Sequence, residues 1–141
     1  MARKAKAIVL DSWAVLAYLE DEGPAEKIGN MISDAHDDGI PVFMSVINAG
    51  QVWYIIGREA SPADADATLT KIRQLGIRFV EADWSLTHEA AKYKSKYRMS
   101  YADCFAAALA KQKHAVLLTG DPEFKQVERD IAIAWLTLRK S

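Results

Sequence analysis

The feature that most constrains this chain is a short apolar run that stops abruptly at a carboxylate. Residues 7–10 read Ala-Ile-Val-Leu, and Asp11 follows directly. A brief, unbroken apolar run is typical of a strand buried on both faces, as the central strands of parallel sheets are. Asp11 is then expected at the carboxyl end of that strand, which is the edge where open α/β sheets bind their ligands.

Further short apolar runs alternate with segments of helical periodicity along the whole chain. We predict strands at 41–46, 78–81, 115–118 and 131–136, with helices between them. This alternation predicts parallel βαβ crossovers and a central sheet covered by helices on both faces. The length of 141 residues, without an internal repeat or a linker, predicts one α/β domain over residues 1–141.

Composition excludes several classes of protein. A net charge of −1 gives no overall attraction to nucleic acid or to an anionic membrane, so a polyanion must be held by a local patch or through metal ions. The single cysteine excludes an intramolecular disulfide and argues against a cysteine-based zinc site. No apolar run approaches the ~18 residues that a membrane span needs, and the run behind the basic N-terminus is too short for a signal peptide. We therefore expect a cytoplasmic protein without a membrane partner.

Three aspartates recur at comparable positions. Asp11 and Asp121 each follow an apolar strand and precede a helix, and Asp103 lies in the first turn of a helix whose predicted N-cap is Ser100. Helix capping explains each of them singly. Parallel strands would nevertheless gather all three at one edge of the sheet, where anions repel one another unless a cation lies between them.

Oxygen ligands around a shared point suit Mg²⁺ or Mn²⁺. Such an ion activates water and neutralises the charge that develops on a phosphodiester. The three aspartates together therefore predict metal-assisted hydrolysis, with phosphate esters as the substrate class.

Three segments carry these aspartates: Leu-Asp-Ser at 10–12, Ser-Tyr-Ala-Asp-Cys-Phe-Ala-Ala-Ala-Leu-Ala at 100–110, and Leu-Thr-Gly-Asp-Pro-Glu-Phe at 118–124. They resemble the acidic motifs of PIN-domain ribonucleases, most closely those of VapC-type toxins of bacterial toxin–antitoxin pairs. The resemblance implies a three-layer α/β/α sandwich and endonucleolytic cleavage of RNA, with Mg²⁺ or Mn²⁺ held by Asp11, Asp103 and Asp121. It also implies a homodimer that a cognate VapB-type antitoxin inhibits.

One position departs from the family pattern. PIN-domain nucleases carry a glutamate early in the helix after the second strand, where this chain has Gln51. An amide can coordinate a metal through its oxygen, but it supplies no negative charge and cannot act as a base. We expect Gln51 to take part in catalysis in a weakened role. We do not expect Glu59 or Glu123 to lie close enough to replace the missing carboxylate.

The substitution leaves three interpretations open: a natural weak enzyme, a natural member that only binds, or an engineered change. The rival function is therefore a non-catalytic PIN-like module that binds antitoxin or RNA. A receiver-like phosphoacceptor domain is disfavoured, because Ser12 rather than a second acid follows Asp11, and Thr119 rather than a lysine ends the late strand.

Aromatic residues near the predicted site are expected in the core, with a dimer face as the alternative; they are Trp13, Trp53 and Tyr54. The basic run at 92–98 is interpreted as a solvated helix face with its tyrosines buried beneath, and an RNA grip is the alternative.

Overall fold

The computed structural model describes residues 5–137, which form one five-stranded parallel sheet flanked by helices. The strands lie in the order β3-β2-β1-β4-β5 and are all parallel. Their bounds are β1 Ile8–Leu10, β2 Val42–Ser45, β3 Ile77–Val80, β4 Val116–Thr119 and β5 Ala132–Trp135. The predicted α/β/α sandwich with a central parallel sheet is confirmed, and each strand lies within two residues of its predicted bounds.

Within residues 5–137, six α-helices and one 3-10 helix connect the strands. They are α1 Ser12–Leu19, α2 Ala25–Asp37, α3 Val46–Glu59, α4 Pro62–Gln74, α5 Trp84–Lys96, α6 Tyr101–Gln112 and the 3-10 helix Pro122–Val127. Polar side chains accept hydrogen bonds from the first-turn N–H groups of five α-helices: Asp11, Ser45, Ser61, Asp83 and Ser100. These caps satisfy N–H groups that have no partner within the helix, which is why the helices begin where they do.

The two faces of the sheet bury two separate apolar cores. Along β1, Val9 packs into the core built with α5 and α6, whereas Ile8 and Leu10 pack into the core built with α1, α2, α3 and α4. This two-residue alternation is the geometry of a strand covered on both faces. Helix α6 is the most enclosed of the described helices, because residues 103–110 are all buried and four of them are alanines small enough for close packing.

The order of the strands creates a switch point between β1 and β4. The chain builds outward from β1 through β2 to β3, and then crosses back to add β4 and β5 on the other side. Connections therefore leave the carboxyl ends of β1 and β4 in opposite directions and open a crevice there. Leu10 pairs with Leu118, so the residues that follow β1 and β4 meet at this crevice.

Two of the aromatic residues expected in the core are not there. Trp53 is 36% exposed and Tyr54 is 44% exposed. The prediction failed because the buried stripe of α3 is narrow, comprising Asn48, Ala49 and Val52, and both rings lie outside it. The indole N–H of Trp53 donates to Asp66 in α4, and the guanidinium of Arg58 lies over the ring of Tyr54.

Tyr93 is buried beneath the basic run at 92–98, as predicted, and the neighbouring lysines are exposed, but Tyr97 is only half-buried. Within residues 5–137, no helix combines the length and the apolar character that crossing a membrane requires.

Candidate active site

A pocket of roughly 450 Å³ opens at the switch point, at the carboxyl edge of the sheet. Four regions that are distant in sequence line it: the start of α1, the second turn of α3, the first turn of α6 with its cap, and the loop after β4. The lining residues are Ser12, Trp13, Leu16, Gln51, Ser100, Asp103, Asp121 and Glu123. Part of the lining is therefore acidic, and the part contributed by α1 includes the apolar side chains of Trp13 and Leu16.

Three carboxylates converge in this pocket. One oxygen each from Asp103, Asp121 and Glu123 lie within 4.8 Å of one another. Asp103 is held in the first turn of α6 because its N–H donates to the capping hydroxyl of Ser100, at 3.1 Å. Two of the predicted site aspartates are thus brought together, and carboxylate oxygens at this spacing are suitable ligands for a hard divalent cation.

Glu123 belongs to the cluster, which the sequence analysis did not expect. Its N–H donates to Oδ1 of Asp121 at 2.9 Å, and this tight turn brings the two carboxylates together. The Asp-Pro-Glu sequence at 121–123 carries the signal that could have revealed it, since aspartate side chains commonly bond the backbone two residues on. Glu59 lies elsewhere, near Glu20, whose pKa is raised first by burial and then by the charges of Glu22 and Glu59.

Asp11 lies behind the cluster and is only 1% exposed. Its carboxylate accepts one hydrogen bond from the N–H of Ala14 at 2.8 Å and one from the hydroxyl of Thr119 at 2.5 Å. The Thr119 oxygen in turn accepts from the N–H of Asp121 at 3.0 Å. Asp11 therefore caps α1 and is joined through Thr119 to the loop that carries Asp121. Thr119 was not among the residues predicted for the site.

Burial raises the free energy of the ionised forms of Asp11 and Asp103. Loss of hydration raises the pKa of Asp11 to about 7, although the hydrogen bonds from Thr119 and Ala14 oppose the shift. Burial raises the pKa of Asp103 to about 7 as well, assisted by a hydrogen bond with Glu123 and by the charges of Asp121 and Asp11. The cluster is therefore an anionic site in which a bound cation would relieve both desolvation and mutual repulsion.

Gln51 lines the same pocket, and its side-chain oxygen already accepts a hydrogen bond from within the protein. The Nδ2 group of the fully buried Asn48 donates to Gln51 Oε1 at 2.9 Å and to the backbone oxygen of Ala102 at 3.2 Å. The fourth position predicted from the sequence is thus at the site, with its amide oxygen bonded within the protein.

The apolar wall of the pocket is held close to the acidic loop. A Cβ atom built on Gly120 would lie 2.2 Å from the indole ring of Trp13, so the ring rests directly on the backbone between Thr119 and Asp121. Only a residue without a side chain permits this approach. Trp13 therefore has a defined position beside the carboxylates.

Comparison with known proteins identifies one family. A model of the PIN domain matches residues 8–130. A search of curated protein sequences finds no significant match.

Several solved structures share the fold. A VapBC complex of Rickettsia felis bound to a DNA fragment from its promoter has a TM-score of 0.73 at 13% identity, covering 91% of this chain and 97% of that chain. VapBC-1 of nontypeable Haemophilus influenzae has a TM-score of 0.70 at 12% identity, with 92% and 97% covered. A sarcin-ricin loop cleaving VapC toxin of Mycobacterium tuberculosis has a TM-score of 0.65 at 15% identity, with 86% and 95% covered.

The raised carboxyl pKa values predict how stability depends on pH. Between the usual carboxyl pKa and about pH 7, the folded protein retains protons that the unfolded chain has released. In the presence of a chelator, the free energy of unfolding should therefore fall as the pH rises through this window. The substitution Asp11→Asn should make the fall shallower by up to about 1.4 kcal/mol per pH unit.

Urea unfolding at several pH values measures this slope. The matched control is Asp64→Asn, at an exposed aspartate of α4, which should follow the wild-type profile. A slope for Asp11→Asn equal to that of the wild type would refute the proposed cost of burying this anion.

A second prediction concerns the contact between Trp13 and Gly120. Gly120→Ala should force the indole ring out of place and lower the free energy of unfolding by about 1–3 kcal/mol, the usual cost of overpacking. Gly50→Ala is the control, because a Cβ there meets nothing within 4 Å and alanine favours a helix. Denaturant unfolding compares the two variants, and equal stabilities would show that the ring is not held by this contact.

Proposed function

The chain belongs to the PIN-domain family, and from that premise we propose that it is a metal-dependent endoribonuclease and the toxin of a VapBC-type toxin–antitoxin pair. The observation that carries the proposal is the convergence of Asp103, Asp121 and Glu123 in one open pocket, with Asp11 directly behind them. The fold alone hosts many activities, so the proposed function depends on the chemistry of this site.

The proposed ligands of the metal are Asp11, Asp103 and Asp121, with Mg²⁺ or Mn²⁺ as the ion. These residues fit such an ion, because they offer hard oxygen donors and because burial disfavours the charged forms of Asp11 and Asp103. Each oxygen of Asp11 accepts one hydrogen bond and keeps a second lone pair for coordination. We propose that Glu123 supplies the carboxylate that Gln51 lacks.

When bound, the ion supplies an activated water and charge neutralisation for phosphodiester hydrolysis. The chain's own residues hold the carboxylates in place and bind the RNA. Thr119 holds Asp11 by donating its hydroxyl, and it fixes the loop of Asp121 by accepting that residue's N–H. Trp13 and Leu16 form an apolar surface on which a base can stack, a common way of binding unpaired RNA.

We further propose two protein partners: a cognate VapB-type antitoxin and a second copy of this chain. The antitoxin is supported by the solved VapBC assemblies from Rickettsia felis and Haemophilus influenzae, whose fold this chain shares. The exposed rings of Trp53 and Tyr54 favour a protein interface on α3, because aromatic residues are enriched in such interfaces. A toxin that cuts cellular RNA acts in the cytoplasm, which is where we place this protein.

The second candidate function is a PIN-like module that binds antitoxin or RNA without cleavage. It is favoured by one observation: the family's glutamate is replaced by Gln51, whose oxygen is already bonded to Asn48. The two functions differ in whether RNA is cut.

The test is cleavage of a labelled, structured RNA with Mg²⁺ or Mn²⁺ present. We expect cleavage that EDTA abolishes and that Asp103→Asn reduces by more than about 100-fold, since even outer partners of metal ligands are worth about 10–100-fold. The exposed control Asp64→Asn should cut like the wild type. Cleavage that survives both EDTA and Asp103→Asn would contradict the metal mechanism, and intact RNA under all metals would favour the binding module.

A further inference from the structure

The orientation of the Gln51 amide is fixed by a buried neighbour. Asn48 is 0% exposed, and its Nδ2 group donates to the backbone oxygen of Ala102 at 3.2 Å. A backbone carbonyl can only accept, so the amide of Asn48 must present its nitrogen to α6. The same nitrogen donates to Gln51 at 2.9 Å, and Gln51 must therefore receive it through Oε1.

The other end of the Gln51 amide is free to act on a ligand. Among the described residues, the only buried side-chain nitrogen or oxygen without a hydrogen-bond partner is Asn48 Oδ1. Gln51 Nε2, which no side-chain or backbone acceptor within residues 5–137 engages, is therefore accessible to solvent. Because Gln51 lines the pocket of Asp103 and Asp121, this nitrogen is an available donor beside the carboxylates.

Coordination of a cation at the free end of the Gln51 amide would require that end to carry Oε1 instead of Nε2. Turning the amide in this way would place the Gln51 NH₂ group against the NH₂ group of Asn48. Two donors would then face each other in a partly buried location, and the bond to Asn48 would be lost. The cluster also has less need of this ligand, because Glu123 already adds a third carboxylate to it.

We propose that Gln51 is a substrate-binding residue, which donates a hydrogen bond from Nε2 to a phosphate oxygen of the RNA and does not ligate the metal. A phosphate is an anion with strong acceptor oxygens, and a neutral N–H donor binds it without the repulsion that a glutamate carboxylate would add. The proposal rests on the proposed function and specifies which residue of the site contacts the substrate.

The test separates binding of metal from binding of RNA in Gln51→Leu, which keeps the approximate size of the side chain but has no donor. The first measurement is calorimetric titration with Mn²⁺ in the absence of RNA. The second is fluorescence anisotropy of a labelled RNA hairpin in Ca²⁺, with the RNA checked for integrity on a gel. Gln74→Leu, at an exposed glutamine of α4, is the matched control, and thermal unfolding verifies that each variant is folded.

We expect Gln51→Leu to leave the Kd for Mn²⁺ unchanged and to weaken RNA binding by about tenfold, as for the loss of one hydrogen bond to a charged acceptor. Gln51→Glu should bind Mn²⁺ more tightly, because it adds a negative ligand, and should bind RNA no better than Gln51→Leu.

Two results would overturn the assignment: weaker Mn²⁺ binding by Gln51→Leu would make Gln51 a ligand, and unchanged RNA binding would remove its role as a donor. Failure of the wild type to bind any RNA would overturn the proposed function itself, and the role of Gln51 with it.

Discussion

The burial of one carboxylate, Asp11, is the constraint on which the rest of the site depends. This carboxylate lies at the end of β1 and accepts hydrogen bonds from the N–H of Ala14 and from the hydroxyl of Thr119. Thr119 ends β4, and the pairing of β1 with β4 brings it beside Asp11. Thr119 also fixes the loop of Asp121, because its hydroxyl oxygen accepts a hydrogen bond from the N–H of Asp121. The carboxylate costs stability as an anion, and that cost is the physical reason for expecting a cation at the switch point.

The sequence allowed the layers and two of the clustered carboxylates to be predicted because both follow from local signals. Continuous apolar runs marked the strands, and the positions of Asp11, Asp103 and Asp121 relative to strand ends and caps placed them at one edge. Glu123 was missed because its place in the cluster depends on a turn in which its own N–H bonds Asp121.

Other features depended on contacts that are distant in sequence. The orientation of Gln51 is set through Asn48 by the carbonyl of Ala102, which lies 54 residues from Asn48. No local pattern around Gln51 encodes that contact. Similarly, the exposure of Trp53 and Tyr54 could not be inferred from their apolar character, because it depends on how narrow a stripe of α3 the sheet and the neighbouring helices cover.

The central claim is that the carboxylates at the switch point hold a divalent cation, and it is tested most directly by diffraction from crystals soaked in Mn²⁺. The account predicts an anomalous difference peak in contact with Asp103 and Asp121, with Asp11 or Glu123 completing the carboxylate ligands. It also predicts that this peak is lost in Asp103→Asn crystals. A peak elsewhere, or none at this cluster while Mn²⁺ is bound in solution, would contradict the claim.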